Sequence, residues 1–572
     1  MSPAKNIHES IRSKLVKIYG EESAQKAHDK LCEIVADYKG IDNNELAISE
    51  KDVMLICYGD HLQDKHNPPL QVLHQFLKET VYPTVNCVHI LPFFPYSSDD
   101  GFSVIDYYAV DTNLGGWRHI DAMKDDFRLM FDAVFNHISA KSEWFQKYKE
   151  GQAPYDQFFI EVDPSTDLSL VVRPRALPLL SPIETISGTK HVWTTFSDDQ
   201  IDLNYANPDV LLEMIRILLF YAKHGAEFIR LDAIAFIWKE IGTNCIHREE
   251  AHLIIQLMRD ILNLVASDVV IITETNVPHE ENISYFGDGY NEAQLVYQFP
   301  LPPLILHTLT SGDTSHLTQW AQSLEPVSEQ TTFFNFTASH DGIGMRPATG
   351  LLEQDAIDAL VKLAENHGGN VSYKADSDGS QSPYELNITY FDAITNPSIT
   401  AENPKLAVKR FIVSQAIMLS LAGVPGIYLH NLFGSRNWNE GVEETKRFRT
   451  INREKLLVKT LHEELAQDGS IRNRVFTRYL ELLKIRTTER AFHPLAKQTI
   501  LTISPDIFAI ERQSIDNTER ILALHNVTGN TVSCDFPAKR GKWHDLLSNS
   551  IQDSSSPFRL QAYQVCWLKH NN

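Results

Sequence analysis

Two hydrophobic rhythms alternate along most of this chain. Short runs, apolar on both faces, recur at VMLICYGD (53–60), VNCVHILPF (85–93), LMFDAVFNH (129–137), FIRLDAIAF (228–236), VVIITETN (269–276), AQLVYQF (293–299), TTFFNFTASHD (331–341) and GVPGIYLH (423–430). Runs of that length without alternation read as strands buried on both sides, as in a parallel sheet. Amphipathic segments lie between them. In DVLLEMIRILLFYAKHG (209–225), Asn207 is the expected N-cap, Pro208 opens the first turn, and Lys223 and His224 precede the terminating Gly225. Eight buried strands alternating with helices predict an α/β chain folded as a (β/α)8 TIM barrel.

Three regions depart from this rhythm. Residues 1–50 carry Leu15, Ile18, Tyr19, Ala24, Ala27 and Leu31 at helical spacing, with Gly40 as a stop, and are expected to form a helical extension. Residues 138–200 are too long for a simple connection and are expected to form an inserted subdomain after the third strand. Beyond about residue 490 the segments TILTIS, IFAIERQ, RILALHNVT and YQVCWLKH predict a small C-terminal antiparallel β domain. The barrel is therefore assigned 51–137 and 201–490, and the β domain 491–572. A further long interval, 342–410, holds the polar stretch SYKADSDGSQSPYELN (372–387) and is expected to be a long loop over the barrel mouth.

Composition narrows the function. With 43% hydrophobic and 22% charged residues the chain is globular. Its net charge of −22 argues against nucleic acid and anionic membranes as partners. The six cysteines include no close pair, which excludes a disulfide scaffold and favours a reducing, cytoplasmic setting. The apolar stretch 411–430 contains Ser414, Gln415 and the breaker GVPG, so a helix, a loop and a strand explain it better than a membrane span. No cofactor and no metal site are expected, and the chain is read as a monomer or homodimer.

The chemistry lies at strand ends. Asp132, Asn136 and His137 end the third run, Arg230 and Asp232 the fourth, Glu274 the fifth, and His340 and Asp341 the seventh. Carboxylates from separate strands facing one barrel mouth would repel one another, so they argue for function rather than structure. A nucleophilic carboxylate, a protonated one and a charge-stabilising one together fit the cleavage of glycosidic bonds. Arg230, two residues before Asp232, shares its strand face and is expected to keep it ionised.

The motifs DAVFNH (132–137), FIRLDAIA (228–235), ITE (272–274) and ASHDG (338–342) resemble those of glycoside hydrolase family 13, the α-amylase-like enzymes. DDGFSVIDY (99–107), RPRALP (173–178), HDGIG (340–344), PYELN (383–387) and RFRTINR (447–453) are similar to the sucrose phosphorylase group within it. The resemblance implies Asp232 as nucleophile, Glu274 as acid/base and Asp341 as transition-state stabiliser. It implies glucosyl contacts from Asp99, Phe102, His137, Arg230, His340 and Arg449. Plainer readings stand beside these: a core histidine for His137, packing for Phe102, a surface ion pair for Arg449.

For a phosphorylase, the resemblance implies phosphate contacts from Arg175 and Tyr384, with Arg173 as an even choice between phosphate and a loop brace. Asn276 and Glu385 depart from the His and Gln of sucrose phosphorylases, which moves the acceptor away from fructose. TETNVPH and SPYELN look closest to the glucosylglycerate phosphorylase branch, and Lys374 is the candidate partner for a glycerate carboxylate. The implied small molecules are an α-glucoside, inorganic phosphate and glucose 1-phosphate. The alternatives are a phosphorylase of sucrose, sucrose 6-phosphate or glucosylglycerol, a hydrolase or transglucosidase on the same fold, and an inactive carbohydrate-binding barrel.

Overall fold

The computed structural model describes residues 3–38, 48–174, 177–375, 380–535, 541–555 and 557–570. Gly40 and Arg175 lie outside the described residues. All eight runs become strands of one closed parallel barrel: β1 (Met54–Cys57), β2 (Cys87–Ile90), β3 (Arg128–Val134), β4 (Ala226–Asp232), β5 (Val270–Thr273), β6 (Leu295–Tyr297), β7 (Thr332–Phe336) and β8 (Val424–Tyr428). They pair in chain order, with β8 closing on β1 through Met54 opposite Gly426. The barrel strands are almost entirely buried, because helices cover the outside and side chains fill the inside.

The stretch 411–430 divides between the helix Pro404–Ser420 and β8. At Gly423 (φ 135°) a Cβ would come within 2.5 Å of the Phe333 carbonyl oxygen, so only glycine fits both the backbone angle and the space. Among the described residues, no helix is long and apolar enough to cross a membrane. The helix Pro208–Lys223 is capped by Asn207, whose side chain accepts from the Asp209 N–H, and Gly225 (φ 93°) follows it.

The N-terminal helix Pro3–Asp37 is interrupted at Gly20 (φ 74°). Its buried Leu15, Ala24, Ala27 and Leu31 pack toward the barrel helices Pro208–Lys223 and Glu249–Val265. A Lys14–Asp260 ion pair of 2.5 Å and a bond from the Tyr19 hydroxyl to the Tyr205 carbonyl fix it there. At the other end of the chain, six antiparallel strands form one sheet. Alternation decides which way each residue faces. Phe508, Ile510, Ile521, Ala523 and Trp567 join the main core, whereas Ile507, Ala509, Leu522, Leu524 and Leu568 build a second, local one.

The insertion begins and ends on one ladder, His137–Ser139 paired with Gln200–Asp202. A buried ammonium secures this junction. Lys239, from the segment after β4, pairs with Asp202 at 2.5 Å and donates to Asn136 Oδ1 at 2.7 Å. Asp202 also accepts from the Thr195 N–H and hydroxyl. The stretch 342–410 is not the irregular loop expected from its polarity. Asn370–Ala375 and Gln381–Asn387 form a hairpin, and Ile343–Gly344 adds a third strand. The hairpin's described residues are largely polar and half-buried, which hydropathy alone does not distinguish from a loop.

Removing the ammonium leaves the Asp202 carboxylate buried without its counter-charge. Lys239→Met should therefore cost about 3–5 kcal/mol of stability by denaturant unfolding. The double variant Lys239→Met/Asp202→Asn should regain much of it. A Lys239→Met midpoint equal to wild type would refute this account of the junction.

Candidate active site

One narrow pocket at the C-terminal ends of the strands is lined by Asp232, Glu274, Asp341 and Glu385, together with all six predicted glucosyl contacts, Asp99, Phe102, His137, Arg230, His340 and Arg449. The Arg230 guanidinium is buried in its wall. Nη1 pairs with Asp132 and, at 2.7 Å, with Asp232 Oδ1, while Nη2 lies 3.7 Å from Glu274 Oε1. His89 Nε2 lies 2.7 Å from the far oxygen of Asp132. The chain His89–Asp132–Arg230–Asp232 thus crosses β2, β3 and β4. Burial opposes ionisation of Asp132, but His89 and Arg230 outweigh it and hold its pKa below the usual carboxylate range.

Asp232 and Glu274 differ from Asp132, and Glu274 has the raised pKa expected of the protonated carboxyl. Burial, only partly offset by Arg230, pushes both carboxyls up, and Glu274 raises Asp232 further. The expectation that Arg230 alone keeps Asp232 ionised is corrected: the two groups titrate as a pair. Within the pair the proton belongs on Glu274. Asp232 accepts a 2.7 Å charge-assisted bond from Arg230, whereas the nearest donor to Glu274 is the Ala233 N–H at 3.4 Å. Ala233 itself is left-handed (φ 52°), a strained turn placed directly after Asp232.

Asp341 faces the pair with the opposite tuning. Burial works against its charge, but Arg449, at 2.7 Å, overcomes it and holds the carboxyl far below the usual range. Arg449 is no surface ion pair. It also grips both oxygens of buried Glu385, at 2.9 and 2.5 Å. Glu385 lines the pocket, yet its carboxylate is committed to positioning Arg449.

His340 is buried and driven down to about 3, so it is neutral, and its ring stacks on Phe102 at 4.8 Å. Phe102 therefore packs and lines the pocket at once. His137 Nε2 donates to the Phe102 carbonyl at 2.8 Å, a backbone-satisfied histidine that also reaches the pocket wall.

Asn276 and Tyr384 also line the pocket, and Tyr384 faces an adjoining outer cavity as well. Arg173 donates to the Leu177 carbonyl, as a loop brace would. Lys374 stands on the strand Asn370–Ala375, in register with Ser382, and does not line either cavity. Sequence reasoning passed over Gln200, which bonds Asp99 and the Phe102 carbonyl, and Arg346. Arg346 follows the quoted HDGIG motif by two residues, and that proximity was the available signal. A separate trio, His8, His28 and Cys32, brings possible metal ligands within 4.8 Å on the N-terminal helix. The Cys32 sulfur is equidistant (3.9 Å) from both His28 ring nitrogens, facing the ring rather than a nitrogen lone pair.

The α-amylase catalytic domain model matches residues 76–365. The chain belongs to the α-amylase family. Within the family it is 51% identical over 570 residues to a glucosylglycerate phosphorylase of Allomeiothermus silvanus, covering 98% of both chains. It is 46% identical to the glucosylglycerate phosphorylase of Escherichia coli, covering 91% and 92%. Among solved structures, sucrose 6F-phosphate phosphorylase from Thermoanaerobacter thermosaccharolyticum superimposes with a TM-score of 0.73 at 23% identity. That match covers 91% of this chain and 99% of the other.

The barrel mouth of this chain thus carries a raised carboxyl pair, Asp232 and Glu274, and a separate, strongly acidic carboxylate, Asp341. Removing the Glu274 charge relieves repulsion on Asp232. Glu274→Gln should lower the Asp232 pKa, read by NMR titration of carboxyl-labelled protein. An unchanged or higher Asp232 pKa would show that the two groups are not coupled.

Proposed function

We propose that the chain is a retaining glycoside phosphorylase acting on 2-O-α-D-glucosylglycerate. With inorganic phosphate it yields α-D-glucose 1-phosphate and D-glycerate. The observation that carries this is the near full-length kinship to two glucosylglycerate phosphorylases. The pocket supports the chemistry.

In the first half-reaction, the Asp232 carboxylate attacks the anomeric carbon as Glu274 gives its proton to the glycosidic oxygen. Glycerate leaves, and a β-glucosyl ester of Asp232 remains. Arg230 orients Asp232 through Nη1, so its attacking oxygen is presented in a fixed direction. Asp341, kept ionised by Arg449, meets the positive charge that develops on the sugar ring. Its low pKa lets it stay charged while the neighbouring pair shares one proton.

In the second half-reaction, Glu274 takes a proton from phosphate, and a phosphate oxygen displaces Asp232 from the anomeric carbon. Two inversions leave the α configuration. Tyr384 reaches the pocket from the hairpin, where incoming phosphate would meet it, and Arg175 is proposed as the second phosphate contact. The glucosyl group is gripped by Asp99, Phe102, His137, His340 and Arg449 in this reading. All six cysteines are free, which supports a cytoplasmic enzyme.

Purified enzyme given glucosylglycerate should release glucose 1-phosphate only when phosphate is present. Asp232→Asn should lower that turnover by roughly 10⁴-fold or more, because no glucosyl ester forms. Turnover should fall as pH rises through the raised pKa of the Asp232–Glu274 pair, when the proton for the leaving oxygen is lost. Phosphate-independent release of glucose at a comparable rate would make the enzyme a hydrolase.

A further inference from the structure

A glycerate acceptor carries its own negative charge into a pocket lined by Asp99, Asp232, Glu274, Asp341 and Glu385. Like charges about 4 Å apart in a partly buried site repel by several kcal/mol, so a cation must meet the acceptor. Two lining guanidiniums are already committed. Arg230 is shared among Asp132, Asp232 and Glu274. Arg449 is held by Asp341 and by both oxygens of Glu385.

Arg346 is different. Its nearest carboxylate is Glu281, at 3.9 Å, beyond hydrogen-bond reach, and Glu281 already lies 3.1 Å from His247. Among the described residues, no side-chain hydrogen bond holds the Arg346 guanidinium. It starts a short turn, Arg346–Ala348, two residues past the strand Ile343–Gly344. That strand is zipped to the hairpin carrying Tyr384 and Glu385, with Gly344 opposite Glu385.

Asn276 stands on the same wall. Its amide packs against Gly344 so closely that a Cβ there would lie 3.1 Å from Oδ1. It follows Glu274 by two residues, and its Oδ1 is buried without a hydrogen-bond partner among the described residues. A buried carbonyl oxygen that accepts no bond from the protein is available to a donor arriving with a ligand.

The geometry points to Arg346 and Asn276 as the pair that selects the acceptor, the Arg346 guanidinium taking its carboxylate and Asn276 Oδ1 its free hydroxyl. This rests on the phosphorylase function proposed above and names what decides its acceptor. Glycerate supplies both groups. Glycerol supplies hydroxyls but leaves Arg346 unpaired, so the same wall that admits glycerate discriminates against glycerol. Arg346 takes the role that the sequence had pointed toward Lys374.

The test runs the full-length enzyme in the synthetic direction from glucose 1-phosphate, with D-glycerate or glycerol as acceptor, reading phosphate release. Arg346→Ala should lower the ratio of kcat/KM for glycerate over glycerol roughly 30-fold or more. Arg346→Lys, which keeps the charge but not the fork, should fall between Arg346→Ala and wild type. Asn276→Ala should lower kcat/KM for both acceptors, because both offer a hydroxyl. A ratio unchanged in Arg346→Ala overturns the assignment. So does a rise in the phosphate KM matching that for glycerate, which would mark Arg346 as a general anion site. Wild-type enzyme that ignores glycerate altogether would instead sink the proposed function, independently of either variant.

Discussion

A single buried guanidinium sets the terms for this barrel mouth. Arg230 is almost wholly removed from solvent and lies against Asp132, Asp232 and Glu274, which come from three neighbouring strand ends. A cation in such a place is costly unless compensated, and carboxylates gathered so closely are costly without it. Each side therefore requires the other. The compensation is uneven by geometry, and the unevenness is useful. Asp132 is fully engaged from both ends and stays charged. Asp232 has one strong partner. Glu274 has a distant one and takes the proton. One arginine thus separates structural, nucleophilic and acidic roles among three chemically similar groups.

The second arginine acts across the pocket and ties the chemistry to the loops. Arg449 fixes the charge of Asp341, and Glu385 fixes Arg449. Glu385 sits on the hairpin strand Gln381–Asn387, one residue after Tyr384 and opposite Gly344. Displacement of that hairpin would therefore move Tyr384, loosen Arg449 and disturb the wall bearing Arg346. An enzyme whose two half-reactions admit different anions to one space benefits from such a linkage. The same ribbon that presents a phosphate contact also orients the residue that keeps Asp341 ionised.

How far the sequence disclosed this depends on what kind of signal each feature left. The eight strands were legible because burial on both faces writes an unbroken apolar run, and Asp232, Glu274 and Asp341 were legible because each ends such a run. The strands Asn370–Ala375 and Gln381–Asn387 were not, since short strands rich in Ser, Asn, Tyr and Gln have the composition of a loop. Lys374 drew attention by its charge near a recognisable motif. Charge does not encode direction, however, and Lys374, opposite Ser382 on its strand, lies off both cavity walls. Arg346 was overlooked for the converse reason. Nothing in MRPATG is unusual until the chain folds Arg346 and Asn276 into one pocket and leaves the guanidinium without a side-chain hydrogen bond among the described residues.

The pKa of Asp232 shows the same limit in energetic form. A sequence displays the Arg two residues away and so the attraction, but it does not display the desolvation that opposes it. Desolvation depends on how completely β3, β4 and β5 and their side chains exclude water, a property of the closed barrel rather than of any segment. Once both terms are present, a nucleophile held strongly ionised would be a poor one, bound too tightly to its counter-ion to attack. Raising the Asp232 pKa weakens that hold and makes it more nucleophilic, while the proton on Glu274 remains available to the leaving oxygen. The burial that makes the carboxyl cluster expensive to fold is thus also what lets two carboxyls of ordinary chemistry serve as nucleophile and acid within one pocket.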